Sequence, residues 1–411
     1  MSADAWIEWS ALAEPADEAA GWLVGALGPD GARQWLDVAA ADVVTATVML
    51  AGAAPEKTID EVVRASERWA RRREAAEASA LRARAEQCGA RAVVRGGPEW
   101  PTALDALGER APFALWARGA SSIASLYERS VAVVGARSST SYGDLVASDI
   151  AAHAADRGWS VISGGAYGID AAAHRGALVA GGLTLAVMAG GVDRLYPAGN
   201  EDLLTRVLDQ GAVVSEVPPG WAPHRSRFLT RNRLIACADA TVVVEAALRS
   251  GALSTANRAA ELARPVGAVP GPVTSAASAG CHTLIRDGLA VLVTGGADVV
   301  ELAGPIEVVA AVDGSAQPES ESGPEFDRPE DRAVFDAIGH RAKDIEALAA
   351  TSGLTVAEVR AALGRLELAG TVVRDAQRWR RSRASKRARR GAGEGPGEAP
   401  KRDKTPQKGR Y

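Results

Sequence analysis

Seven short β-branched runs recur between residues 131 and 293, and helix-length segments rich in alanine separate them. The runs lie at 131–134, 160–163, 183–188, 212–214, 241–244, 266–269 and 291–293. Such nearly continuous apolar runs are typical of parallel strands that are covered on both faces. The central part of the chain is therefore predicted to be a doubly wound α/β domain with a parallel sheet.

The segments on either side of this domain have a different character, and 411 residues suffice for two or three domains. Residues 1–90 indicate a small N-terminal helical domain, which leaves 91–305 for the core. Residues 306–330 are rich in Pro, Ser, Gly and acid and predict a flexible linker. An amphipathic pattern over 331–377 predicts three short helices and a hairpin, as in a winged-helix domain. The polar residues 378–411 are expected to be a basic disordered tail.

Composition excludes several classes of protein. No run of about 18 apolar residues is present, which argues against a membrane span. The first 15 residues are acidic, unlike a signal peptide. Cys88, Cys237 and Cys281 lie far apart and match no metal-binding spacing, and the five histidines are scattered. We therefore expect a cytoplasmic protein with reduced thiols, no metal and no membrane partner.

The charge is distributed unevenly along the chain. Residues 374–411 carry 14 Lys or Arg against 4 Asp or Glu, a local charge of +10 in a chain whose net charge is −4. Because salt screens each charge within about 10 Å, local basic clusters can attract nucleic acid even in an acidic protein. The tail is expected either to help capture a strand or only to keep the protein soluble.

Glycine-rich turns follow three of the predicted strands. They begin at Gly135, at Ser163-Gly164-Gly165 and at Gly190-Gly191. In an open parallel sheet these turns meet at the carboxyl edge, where ligands bind. Glycine backbone N–H groups there can bind phosphate, although the same glycines can serve only as tight turns. Neither a G-x-G-x-x-G nor a P-loop pattern is present, so no nucleotide cofactor is expected.

The stretch from Arg225 to Arg233 places four arginines around Phe228. Arginine pairs with phosphate oxygens, and an aromatic ring can stack on an unpaired base. Asn232 can hydrogen-bond a base edge or a backbone group. The alternative interpretation is a solvated helix start with Phe228 in the hydrophobic core.

Motifs between residues 99 and 291 resemble those of one known family, in the same order. They cover about 190 of the 411 residues. The matching segments are 135–143 (GARSSTSYG), 163–174 (SGGAYGIDAAAH), 191–200 (GVDRLYPAGN), 215–220 (SEVPPG), 228–236 (FLTRNRLIA), 242–246 (VVVEA), 250–256 (SGALSTA), 269–271 (VPG) and 280–288 (GCHTLIRDG). By these motifs the chain resembles the DNA-processing protein A (DprA/Smf) family.

The resemblance implies an extended Rossmann-like core that binds single-stranded DNA at the strand ends. It also implies a homodimer that protects incoming DNA and loads RecA recombinase onto it, in natural transformation or repair. Such a mediator is not an enzyme and needs no cofactor. Carried over by motif position, the expected DNA-binding residues are Arg137, Ser163, Gly164, Gly165, Arg225, Phe228, Arg231, Asn232 and Arg233.

The alternative from another functional class is a Rossmann-type enzyme that acts on nucleotides, similar to nucleoside-monophosphate phosphoribohydrolases. Those enzymes carry a P-G-G-x-G-T-x-x-E motif, whereas the nearest stretch here, at 270–273, lacks its glycine, threonine and glutamate. Asp170 and His174 stand four residues apart and could mimic an acid–base pair. The simpler interpretation is that they orient their helix, as such pairs commonly do.

Overall fold

The computed structural model describes residues 2–304, 326, 328–338, 343–375 and 378–381. The chain forms two compact units, Met1–Glu307 and Val308–Tyr411. Most of the expected linker, residues 306–325 and 327, lies outside the described residues, and so do residues 382–411 of the expected tail.

A nine-stranded sheet organises the first unit. Its strands are β1 (Ala90–Val94), β2 (Ala114–Arg118), β3 (Ser130–Val134), β4 (Ser160–Ser163), β5 (Thr184–Met188), β6 (Ala212–Ser215), β7 (Ala240–Val243), β8 (Val266–Ala268) and β9 (Val291–Leu292). They are ordered β1-β2-β6-β5-β4-β3-β7-β8-β9, and β3 to β9 pair in parallel. The doubly wound parallel sheet is confirmed, and each of the seven predicted runs forms a strand.

Helices surround this sheet. They are α1 (Ala3–Leu12), α2 (Glu18–Ala41), α3 (Val43–Leu50), α4 (Glu56–Ala70), α5 (Ala78–Gln87), α6 (Ile123–Glu128), α7 (Ser141–Asp156), α8 (Ile169–Val179), α9 (Glu201–Gln210), α10 (Arg225–Ile235), α11 (Gly251–Glu261), α12 (Ala279–Arg286) and α13 (Gly296–Ala303). Three 3-10 helices span Arg73–Ala76, Thr102–Arg110 and Ala198–Asn200. No helix in the described part of the chain is long and apolar enough to cross a lipid bilayer.

Alternation along β3 shows why both faces of the sheet need a cover. Val131 and Val133 pack with α7, α8 and α13, whereas Ala132 and Val134 pack with α10, α11 and α12. All four side chains are buried. A strand with four consecutive apolar residues therefore fits only between two layers of helices.

The N-terminal helices share their hydrophobic core with the sheet. Trp9 of α1 contacts Trp69 of α4 and Phe113, with ring centroids 5.3 and 5.8 Å apart. The same cluster contains Trp116 of β2 and Val213 of β6. The expected boundary near residue 90 therefore does not separate two cores, because these helices cover a sheet surface that would otherwise contact water.

Two antiparallel strands were not predicted. β1 pairs with β2, and β2 continues the sheet beyond β6. The sequence had suggested only a connecting region here, since prolines and glycines punctuate it. Both strands are short, and each contains an arginine. Their placement depends on packing against the N-terminal helices more than on local propensity.

The second unit contains three helices and a two-stranded hairpin. These are α14 (Pro329–Ile338), α15 (Ile345–Ser352), α16 (Val356–Leu368), β10 (Val372–Asp375) and β11 (Arg378–Arg381). The predicted winged-helix architecture is confirmed. The hairpin uses residues 378–381, which the sequence had assigned to the tail, because Trp379 is buried in the core of this unit.

Replacing Trp9 with alanine should destabilise the whole first unit. The change removes the ring contacts with Trp69 and Phe113 and the hydrogen bond from Nε1 to the Pro29 carbonyl, 3.1 Å. We expect a loss of about 3–5 kcal/mol in the free energy of unfolding. Hydrogen exchange should show faster opening of both α1 and β6. Faster exchange confined to residues 1–90 would instead indicate an independent N-terminal domain.

Candidate nucleic-acid interface

A cleft of about 270 Å³ opens at the carboxyl ends of β3 and β7. The chain moves in opposite directions across the sheet from these two adjacent strands, so the cleft lies at the switch point of the topology. The lining residues are Val134, Gly135, Arg137, Ala166, Asp170, Phe228, Leu229, Arg231, Asn232, Ile235, Ser250, Gly251, Ala252 and Thr255. The cleft thus brings together Arg137, Phe228, Arg231 and Asn232 of the predicted site.

Phe228 forms one wall of the cleft. The guanidinium carbon of Arg137 lies 5.3 Å from the Phe228 ring centroid, and the Tyr196 ring lies 5.8 Å from it. Arg137 is exposed and Phe228 is half-buried. The ring therefore stands at the cleft surface, where it can contact a ligand, and does not belong to the hydrophobic core.

Arg231 supplies a cation beneath the cleft. Its side chain is only 7% exposed, and Nη1 donates to the Gly164 carbonyl at 3.0 Å. Its Nε is buried without a hydrogen-bond partner among the described residues. Burial lowers the pKa of Arg231 to about 10, against the attraction of Asp170. The guanidinium is therefore still charged at neutral pH and keeps one donor unused.

Asp170 fixes the turn that follows β4. Its Oδ2 accepts from the backbone N–H groups of Gly164 at 3.1 Å and Ala166 at 3.3 Å. Burial raises the pKa of Asp170, while the nearby Arg231 opposes that shift. His174 instead bonds Thr184 through Nδ1 at 2.7 Å, and burial lowers its pKa to about 3. The two side chains hold α8 through different neighbours and do not form an acid–base pair.

Ser163, Gly164 and Gly165 support the cleft from below. Ser163 is fully buried, and its hydroxyl donates to the Val133 carbonyl at 2.7 Å. The N–H of Gly164 is already bonded to Asp170. Gly165 is also buried, and Asn200 donates to its carbonyl at 3.0 Å. A backbone contact from these three residues to phosphate stays a prediction.

Two of the predicted arginines do not line the cleft. Arg225 is exposed at the first position of α10. Arg233 is 4% exposed and donates to both carboxylate oxygens of Glu216, at 2.7 and 2.6 Å. Its Nε also donates to the Arg110 carbonyl at 2.9 Å. The structure therefore gives Arg233 a buried ion pair, and a DNA contact from either residue stays a prediction.

Glu245, at the end of β7, is a positioning residue that the sequence reasoning missed. It is 2% exposed, and its carboxylate accepts from the N–H and hydroxyl of Thr140 at 2.9 and 2.6 Å. These bonds fix the loop that carries Arg137. The V-V-V-E-A segment contained the signal, because a carboxylate directly after a buried strand needs a donor.

Gly168 also determines where Arg137 lies. It has φ of +74°, and an added Cβ would lie 2.6 Å from the Arg137 carbonyl oxygen and 2.3 Å from that of Ala136. Only glycine combines this backbone conformation with so close an approach.

Replacing Gly168 with alanine should therefore displace the loop that carries Arg137. The strained φ is expected to cost about 1–2 kcal/mol of stability. The displacement should weaken ligand binding at the cleft beyond what the loss of stability explains, as measured by titration well below the melting temperature. Gly158→Ala is the matched control, since Gly158 has φ of +77° but no neighbour within 4 Å of an added Cβ. Equal effects of the two substitutions on binding would contradict a role for Gly168 in positioning Arg137.

Among the described residues, no group of three or more His, Cys, Asp or Glu side chains is placed to hold a metal ion. The polar groups of the cleft are instead guanidinium, amide, hydroxyl and backbone groups, together with Asp170.

Comparison with known proteins agrees with this architecture. A structure of DNA processing protein A (DprA) from Streptococcus pneumoniae superposes with a TM-score of 0.57 at 28% identity, over 73% of this chain and 98% of that one. A Mycobacterium tuberculosis protein named for DNA processing protein DprA is 46% identical over 318 residues, 74% of this chain and 80% of its own. The protein Smf of Escherichia coli is 35% identical over 265 residues, 64% of this chain and 69% of its own.

Two family models match the chain. The one described as DNA recombination-mediator protein A covers residues 91–304, and the DprA winged helix domain covers residues 316–377. The first match includes the sheet and the cleft, and the second includes the described helices and β10 of the second unit. The chain therefore belongs to the DNA recombination-mediator protein A (DprA/Smf) family.

Proposed function

We propose that the chain is a single-stranded DNA-binding recombination mediator and that the cleft at the switch point holds the strand. The observation that carries this proposal is the combination of Arg137, Phe228 and the buried Arg231 in one cleft. Cations bind the phosphates, and an aromatic face beside them accepts a base.

Phosphate binding draws on three features of the cleft. Arg137 is exposed and can turn toward an incoming strand. The buried guanidinium of Arg231 adds a fixed positive charge from below. The N-terminus of α11 faces the same space through Ser250 and Gly251. A helix N-terminus favours anions because its first N–H groups have no partner within the helix.

The aromatic wall favours single strands over duplexes. Bases in a duplex are already stacked and paired, whereas an unpaired base can lie against Phe228. Asn232 lines the cleft, and its Nδ2 is 3.4 Å from the Gly251 carbonyl, a weak contact that leaves the amide able to bond a base edge.

The wider role that we propose is the one that the family resemblance implies. We propose that the chain acts in the cytoplasm as a homodimer, protects single-stranded DNA and loads RecA onto it, in natural transformation or in repair. Arg225 and Arg233, together with the backbone at 163–165, remain part of the proposed site. Arg225 is exposed, whereas Arg233 and the backbone at 163–165 require a change in their present environment before they can contact a strand.

We propose that this role involves binding without catalysis. Burial raises the pKa of the Cys237 thiol to about 12 and that of Cys281 to about 11, so neither supplies a thiolate at neutral pH. His174 is neutral and buried. The alternative, a nucleotide-processing enzyme, is tested by incubation with nucleoside monophosphates, where release of ribose 5-phosphate would favour it.

Replacing Arg137 with alanine should weaken single-strand binding and reduce its salt dependence. Each lost phosphate contact lowers the slope of log K against log salt by about 0.7 for a single strand. Fluorescence anisotropy with an oligonucleotide at several salt concentrations measures both effects. Arg286→Ala is a matched control, because Arg286 is an exposed arginine on α12 whose side chain is 75% accessible. An Arg137→Ala variant with the affinity and slope of the control would overturn the proposed site.

Replacing Phe228 with leucine should separate stacking from packing. Leucine keeps apolar bulk but removes the aromatic face, so a stacking role predicts an affinity loss of about 1–3 kcal/mol. The melting temperature should change little, because the ring is half-buried and lies outside the hydrophobic core. A lower melting temperature with unaltered affinity would assign the ring to packing.

A further inference from the structure

A second cleft of about 110 Å³ lies beside the first, at the carboxyl ends of β5 and β6. It is lined by Gly164, Met188, Ala189, Gly190, Gly191, Asp193, Arg194, Tyr196, Gly220, Trp221, Ala222, Pro223 and Phe228. Phe228 borders both clefts, so a strand that passes over its ring would reach from one cleft to the other.

The two clefts differ in charge. The first contains two arginines and one buried carboxyl group, Asp170, whose pKa burial raises. The second is lined by one carboxylate, that of Asp193, and one guanidinium, that of Arg194. A phosphate gains little from such a balanced pair, because the carboxylate repels it. A neutral ligand with hydrogen-bond donors and a flat apolar face fits this charge better.

The walls of the second cleft are suited to a flat ligand. Trp221 and Tyr196 are aromatic, the first half-buried and the second exposed, and Met188 beside them is apolar and buried. Aromatic rings of this kind are what an unpaired base stacks on.

Trp221 is held by two arginines that are far apart in the sequence. The guanidinium carbons of Arg72 and Arg227 lie 5.4 and 4.7 Å from its ring centroid. Glu14 joins these two arginines, since its Oε1 accepts from Arg72 at 2.6 Å and from Arg227 at 2.9 Å. The ring is therefore oriented before any ligand arrives, which reduces the entropy lost on binding.

We propose that the second cleft binds a nucleobase, from a nucleotide next to the one whose phosphate occupies the first cleft. This inference rests on the proposed function, because it places a neighbouring part of the same single strand. Trp221 is the stacking surface, and Phe228 separates the two nucleotides. Asp193 accepts a hydrogen bond from a base N–H group. Its Oδ1 already accepts from the Gly220 N–H at 2.7 Å, which fixes the carboxylate in place.

The test compares two oligonucleotides of equal length, an oligodeoxycytidine and its abasic counterpart with the same phosphates but no bases. Trp221→Leu should weaken binding of the oligodeoxycytidine about 5- to 100-fold, the range for one lost stacking contact. Binding of the abasic strand should change less than about twofold, because its phosphate contacts are intact. Trp221→Phe should restore most of the affinity for the oligodeoxycytidine.

A second variant guards against a folding defect in Trp221→Leu. Ala222 is exposed and lines the cleft, and only its backbone carbonyl bonds Arg227. Ala222→Leu should therefore fill the cleft without disturbing Trp221. It should weaken binding of the oligodeoxycytidine and spare binding of the abasic strand.

The outcomes separate this inference from the proposed function. Equal weakening on both strands would reduce Trp221 to a support for Arg227 and overturn the nucleobase site. Unchanged binding in both Trp221→Leu and Ala222→Leu would overturn it too, even if Arg137→Ala had confirmed the first cleft. If Arg137→Ala left single-strand binding unchanged while the Trp221 variants behaved as expected, that result would instead contradict the proposed function.

Discussion

The buried guanidinium of Arg231 is the constraint around which the carboxyl edge of the sheet is arranged. Removing such a charge from water costs several kcal/mol unless its surroundings compensate. Here the Gly164 carbonyl accepts from it, and Asp170 attracts it while bonding the same turn. A Cβ at Gly164 would lie 2.5 Å from Nη2 of Arg231 and 2.7 Å from Oδ2 of Asp170. The turn after β4, the start of α8 and the middle of α10 therefore depend on one another.

Because buried charges need partners, the side chains of α10 fall into two groups. Arg227, Arg231 and Arg233 point into the protein and are bonded to Glu14, Gly164 and Glu216. Phe228 and Asn232 stand one helical turn apart on the cleft side. Three buried arginines thus fix the helix, and the residues available to a ligand lie between them. Most of the positive charges in this segment are therefore bonded within the protein.

The sequence predicted the parallel sheet, its seven strands and the gathering of glycine turns at one edge, because each depends on local patterns. The roles of the arginines were harder to predict. Arg227 pairs with Glu14, which is 213 residues away in the sequence, and no local pattern predicts such a distant partner. The helical spacing of residues 227 and 231 contained part of the signal, since residues four apart share a face. The sequence also contained no sign that the N-terminal helices share a hydrophobic core with the sheet. This packing depends on the surface of strands β1 and β2, which were not predicted.

The two arginines of the cleft, Arg137 and Arg231, act over different distances. This difference explains how a chain with a negative net charge can attract a DNA strand. The net charge of −4 includes +10 within residues 374–411, so the rest of the chain repels a strand at long range. Attraction must then come from cations whose fields are local. Arg137 is exposed, so salt screens it within about 10 Å. Arg231 is shielded from counterions by its burial, and its field is directed into the cleft by the low-dielectric walls. A strand that reaches the cleft therefore meets an exposed cation, whose attraction salt screens at a distance, and a buried cation, whose field acts only within the cleft.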